Sequence, residues 1–203
     1  MLQLSTLKRR LVTFLEEFKR ARQSWNDLND EGLTLANTLV NTKLQERLTE
    51  NPSDCSSKSN NFIRLNDDHN ILDDKVVTLK ELLQQIIERM AKQLTKMKMQ
   101  ILQMEFLLEE ACESMGEEFV YNNPLYLSCS LETFVEFSVI IFNMFTQEMD
   151  LKQKLILSLE LELEKQQFMV ILSTWLNQPY IDFDKIIEFE NICEVEIENK
   201  EEI

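Results

Sequence analysis

Few positions in this chain carry side chains suited to chemistry. His69, the single histidine, sits in "NDDHN" close to Asp67, Asp68, Asp73 and Asp74. Such a cluster offers oxygen and imidazole ligands to a divalent cation. The same residues also make an acidic first helical turn, favoured by the positive end of the helix dipole, and this is the preferred reading. A Ser-His or Cys-His pair would have to use His69, and nothing in the sequence places a nucleophile beside it. Cys55, Cys112, Cys129 and Cys193 are scattered, with no C-x-x-C pair, so free thiols in a reducing compartment are expected. Two glycines, Gly32 and Gly116, cannot build a phosphate-binding loop. The sequence therefore holds no catalytic constellation, no cofactor site and no metal site.

The elements that would position any site are helices. The 203 residues include only 2 Gly and 3 Pro, too few for the turns of an all-β fold. Good helix formers, with Leu, Glu, Lys, Gln and Met foremost, dominate. At 44% hydrophobic and 28% charged, the chain has the composition of a folding protein. Its net charge of −15 argues against nucleic acid and anionic membranes as direct partners. The one basic patch is Lys8, Arg9 and Arg10. The first residues lack a signal peptide's apolar stretch and no 18-residue apolar run exists, so nucleus or cytoplasm is the expected location.

The pattern predicts an all-α, elongated helical bundle or coiled coil of three to four long helices with an acidic disordered C-terminal tail. Leu4, Leu7, Leu11, Phe14, Phe18, Ala21, Trp25, Leu28, Gly32, Leu35 and Leu39 recur at alternating spacings of three and four, which is a heptad seam. This marks residues 1–49 as one helix, continuous or slightly kinked at Gly32. Gly32 either breaks the helix or lets a partner helix approach closely. Residues 50–64, rich in Ser and Asn, form a flexible linker. A long central helix then spans 65–118, on a seam from Leu72 through Met104, Leu108 and Ala111 to Met115. Two successive fours across Ile86, Met90 and Leu94 are a stutter. Met90, Met97, Met99, Met104 and Met115 could make an adaptable binding face, but most lie on this seam and read as core. A rod of roughly 70–75 Å, at 1.5 Å per residue, is too long for the shorter helices to cover, so a second chain is expected.

Gly116 and Asn122-Asn123-Pro124 break that rod and residues 119–130 form a loop. Ser130 suits an N-cap for a helix starting at Leu131. Residues 131–181 read as a helical hairpin. Its "LILSLELELE" stretch alternates as a strand would, yet is taken as helix because no partner strand exists. A last ordered helix spans about Gln167–Gln178, and residues 182–203 make a solvated acidic tail.

"KRRLVTF" carries Arg9, Leu11 and Val12 in an R-x-L-φ pattern, similar to the docking motif of cyclin-dependent kinase substrates and inhibitors. Such motifs bind in extended form, whereas Leu11 also occupies the seam that a helix would bury. The buried reading is preferred.

Two stretches resemble a known family. "WNDLNDEGLTLANTLVNTKL" (residues 25–44) carries Leu28-Asn29-Asp30, Gly32, Ala36-Asn37 and Asn41, and "LSTWLNQPYI" (residues 172–181) carries Leu172, Trp175-Leu176, Gln178 and Pro179-Tyr180. Together they resemble the cyclin-dependent kinase 2-interacting protein (CINP) family, and "TFVEFSVIIFNMFTQEMDLKQK" (residues 133–154) aligns with it as well. The chain departs from the family in its acidity and in lacking a turn-forming residue near 162–166. The resemblance implies a non-enzymatic nuclear scaffold linking origin firing in DNA replication with DNA-damage checkpoint signalling. It also implies a subunit of an AAA+ ATPase complex in replisome proteostasis and ribosome maturation, beside a second small helical protein. Cyclin-dependent kinase, cyclin and checkpoint proteins would be further partners. Trp175, Leu176, Gln178, Pro179, Tyr180, Trp25, Leu28, Gly32 and Leu35 are the candidate partner-binding residues. Trp175 either closes the core or anchors a partner, and a core shared with a partner would satisfy both. The alternatives are a cyclin-docking kinase regulator acting through Arg9, Leu11 and Val12, or a coiled-coil tether in trafficking or spindle assemblies.

Overall fold

The computed structural model describes residues 2–50 and 62–198, with side chains described for 2–47 and 71–197. Most of the expected linker, Cys55 and the side chain of His69 lie outside the described residues. Among the described residues six helices follow in order: α1 (Leu4–Glu50), α2 (Phe62–Met115), α3 (Glu117–Tyr121), α4 (Leu131–Leu159), α5 (Lys165–Asn177) and α6 (Phe183–Glu198). No strand occurs among the described residues. Contacts divide the chain into two compact units. The first holds residues 1–25, 91–149 and 179–203, and the second holds 26–90 and 150–178.

α1 runs unbroken through Gly32. Within the first unit its buried apolar positions are Leu7, Leu11, Leu15, Phe18, Ala21 and Trp25, a stripe at helical spacing that faces the core. Arg9 stands exposed on this helix while Leu11 is 0% exposed. An extended docking motif at Arg9, Leu11 and Val12 would have to pull Leu11 out of the core, so the buried reading prevails. On α2 the buried seam passes through Met97, Ile101 and Met104 to Leu107 and Ala111. Leu107, not Leu108, is the core residue here: the two successive spacings of three across Ile101, Met104 and Leu107 offset the two successive fours of the stutter. Gly116, at φ 90°, ends α2, in a backbone region open mainly to glycine. Ser130 Oγ accepts the Thr133 N–H at 3.3 Å and caps α4.

The stretch 155–164 is helical only to Leu159. Leu155 and Leu159 are buried while Leu157 and Leu161 are exposed, which is the period of a helix and not of a strand. α4 then stops without Gly or Pro. The cause lies in the second unit, where Lys43 Nζ donates to the carbonyls of Leu159 (2.8 Å), Glu160 (3.4 Å) and Leu161 (3.1 Å). Arg47 adds bonds to the Leu163 carbonyl and the Glu162 carboxylate. The last carbonyls of a helix need partners and are partly negative, and two cations of α1 meet both needs.

Over its described residues, the acidic tail is not disordered. Residues 183–198 form α6, with Ile186 and Phe189 buried. Burying each such side chain contributes roughly 1.5–3 kcal/mol, enough to hold an acidic helix on the first unit. The Phe189 ring stacks on Phe137 with centroids 5.5 Å apart, and Glu190 pairs with the buried Arg22 at 2.7 Å. Averaging charge over the tail hid a three-to-four spacing of apolar residues.

Candidate interaction site

α5 carries the most specific of the sequence signals, and its geometry explains them. Its first turn is fixed by Gln167, whose Oε1 accepts the Glu164 N–H at 2.9 Å, half of a capping box. Phe168, Ile171, Leu172 and Trp175 then fall on one face and are buried. Met169, Val170 and Leu176 fall on the other, exposed by 57%, 65% and 58%. The helix ends at Gln178, whose φ of 43° and ψ of 64° are left-handed. Pro179 disfavours right-handed helical geometry at the residue before it, and the chain turns here.

Trp175 is wholly buried and held on three sides. Its indole Nε1 donates to the Asn29 carbonyl of α1 at 3.0 Å. Lys152 Nζ lies 4.7 Å from the ring centroid and donates to the Trp175 carbonyl at 2.6 Å. The ammonium thus satisfies an end carbonyl of α5 and meets the indole face in a cation–π contact. On the remaining side is Gly32, one turn beyond Asn29. A Cβ added to Gly32 would lie 2.6 Å from Trp175 Cζ2 and 3.2 Å from Ile86 Cγ2. Gly32 therefore does not break α1; it lets the indole lie directly on the helix backbone.

Of the expected partner-binding residues, Gly32 and Trp175 meet in this junction. Leu28 is buried in the same unit and Leu35 is half-buried. Trp25 belongs to the first unit, where its ring meets Phe145 edge-on, with centroids 5.3 Å apart. Gln178 is buried, while Leu176, Pro179 and Tyr180 are exposed. The backbone N–H of Tyr180 donates to Glu148 at 3.2 Å. Sequence reasoning missed Lys43 and Lys152, both buried. Lys152 follows Phe145 and Met149 at seam spacing, and a charged residue on an apolar seam is a signal of this kind.

The ionisable groups here serve structure. Burial pulls the Lys43 ammonium below its ordinary value, Lys80 adds repulsion and Glu162 opposes both. Burial pushes the Cys193 thiol up to about 12, far from the thiolate that nucleophilic chemistry needs. Glu196 of α6 behaves oppositely. Burial alone would raise it, but the Ser128 hydroxyl and the backbone N–H groups of Leu127, Ser128 and Cys129 hold the carboxyl down at about 2. The Leu127 N–H bond measures 2.9 Å and the Ser128 N–H bond 3.0 Å. No group of three or more His, Cys, Asp or Glu able to hold a metal occurs among the described residues. None of the described helices is long and apolar enough to cross a membrane.

Comparison with known proteins gives one informative match. The chain is 28% identical over 162 residues to the cyclin-dependent kinase 2-interacting protein of Bos taurus, covering 78% of this chain and 74% of that protein. The resemblance to that family is thereby shown. No protein-family model matches the chain. The relative's name describes binding to a cyclin-dependent kinase.

Proposed function

We propose that this chain is a non-enzymatic helical adaptor that binds a cyclin-dependent kinase assembly in the nucleus. The observation that carries the reading is the similarity to a kinase-interacting protein over 78% of the chain. The geometry adds how an adaptor of this kind would work. α5 turns Trp175 inward onto Gly32 and keeps Met169, Val170 and Leu176 outward. A rigid helix presenting neighbouring apolar side chains beside polar ones is a suitable docking face for a partner helix. Within this reading the adaptor serves origin firing and checkpoint signalling, and joins an AAA+ ATPase assembly with a second small helical protein in replisome proteostasis and ribosome maturation.

Affinity purification of the tagged chain from its own cells, read by mass spectrometry, tests the proposal. Recovery of a cyclin-dependent kinase, with or without an AAA+ ATPase, supports it. Recovery of trafficking or spindle components alone overturns it.

A further inference from the structure

α2 has a second apolar stripe, on the face away from its core seam. Met99, Leu102 and Phe106 recur at spacings of three and four and are 48%, 47% and 61% exposed. All three belong to the first unit. The charges around them are segregated. From Met90 to Met104 the helix carries Lys92, Lys96 and Lys98 and no acidic residue; from Glu105 to Met115 it carries Glu105, Glu109, Glu110 and Glu113 and no basic one. Lys92, Lys96, Lys98, Glu105, Glu109 and Glu113 are exposed.

Within one helix this arrangement is unfavourable. Lys92 with Lys96, Glu105 with Glu109 and Glu109 with Glu113 are like-charge neighbours one turn apart, and such pairs repel. Carboxylates also crowd the negative end of α2, whose last turn holds no cation. A second copy running antiparallel supplies opposite charges to part of this array. Rotation about a two-fold axis at Leu102 sets Met99 of one copy against Phe106 of the other. It places Lys98 opposite Glu105 on one flank, and brings Lys92 toward Glu113 on the other. In such a two-fold interface each pairing of Lys98 with Glu105 occurs twice.

We infer that the outer face of α2, centred on Leu102, is a self-docking surface that pairs two copies of this chain antiparallel. The apolar area is small and the charges are exposed, so the dimer is weak and salt-sensitive. This inference is independent of the kinase-adaptor reading, since it concerns a different helix face and needs no other protein.

Sedimentation of the full chain from about 1 to about 500 μM, the span in which so small an interface associates, tests it. The wild type should shift from monomer to dimer across the range and shift back in high salt. Lys98→Glu and Glu105→Lys should each weaken the dimer about tenfold or more, since two ion pairs become two repulsions. An equimolar mixture of the two single variants should regain wild-type association, because each restores the other's missing charge. Circular dichroism confirms that these surface changes leave the fold intact. A wild type that stays monomeric throughout overturns the inference, even if another protein occupies the stripe. Dimers indifferent to both single changes overturn it too, as does a mixture no tighter than its components.

Discussion

Replacing Gly32 by alanine tests the packing of the second unit with a single methyl group. In an exposed helix this change is stabilising by about 1 kcal/mol, because glycine is the weaker helix former. Here the new Cβ would sit 2.6 Å from Trp175 Cζ2, roughly 1 Å inside ordinary contact between carbons. The indole cannot simply swing away. Nε1 is bonded to the Asn29 carbonyl at 3.0 Å and Lys152 stands 4.7 Å from the ring centre. Ile86, at 3.2 Å, blocks a second direction. Overpacking of a tight core costs about 1–3 kcal/mol. At the upper end of that range, less the propensity gain, Gly32→Ala should destabilise the chain by about 2 kcal/mol. Urea unfolding followed by circular dichroism measures it. The same change made in a Trp175→Phe background should cost at least about 1 kcal/mol less, a coupling expected only of residues in contact. A Gly32→Ala protein as stable as the wild type, or more so, would refute the close-approach argument.

Other perturbations have equally definite outcomes. Trp175→Ala should destabilise by roughly 3–5 kcal/mol, the range for a fully buried large aromatic, again by urea unfolding. Lys43→Met should lower stability by about 2 kcal/mol by leaving the Leu159, Glu160 and Leu161 carbonyls without their charged donor, and hydrogen exchange should rise in the last turn of α4. Glu196, at about 2 when folded against an ordinary 4.5, contributes stability at pH values above 4.5 that fades as pH falls through 4.5 toward 2. The loss is ~3 kcal/mol. Glu196→Gln should flatten this part of the acid-unfolding profile, and a profile identical to that of the wild type would remove Glu196 from the clamp on residues 127–129.

The helical class was legible from composition, and the seams from spacing, because burial of one face imposes its period on the residues. At Gly32 the spacing narrowed the possibilities to a break or a close approach. Only the position of Trp175, far along the chain, decides between them. The end of α4 was not legible, since the group that ends it, Lys43, comes from a helix distant in sequence. α6 was misjudged for another reason. Charge summed over residues 182–203 describes solvation, while Ile186 and Phe189 act through their spacing on one face. The aromatic cluster before the tail read as core or as anchor. Sequence spacing cannot say which side of α5 faces inward when both sides carry large apolar residues.

The most direct test of the central claim separates the two faces of α5. Tagged wild type, Leu176→Glu and Gly32→Ala should be compared side by side for stability in vitro and for partner recovery from cells. The account predicts that Leu176→Glu unfolds within about 0.5 kcal/mol of wild type, as surface changes do, yet loses the kinase assembly. Gly32→Ala should lose stability and lose partners only in proportion to the fraction unfolded. Full kinase recovery with Leu176→Glu would contradict the claim that the outward face of α5 is where this adaptor meets its partner.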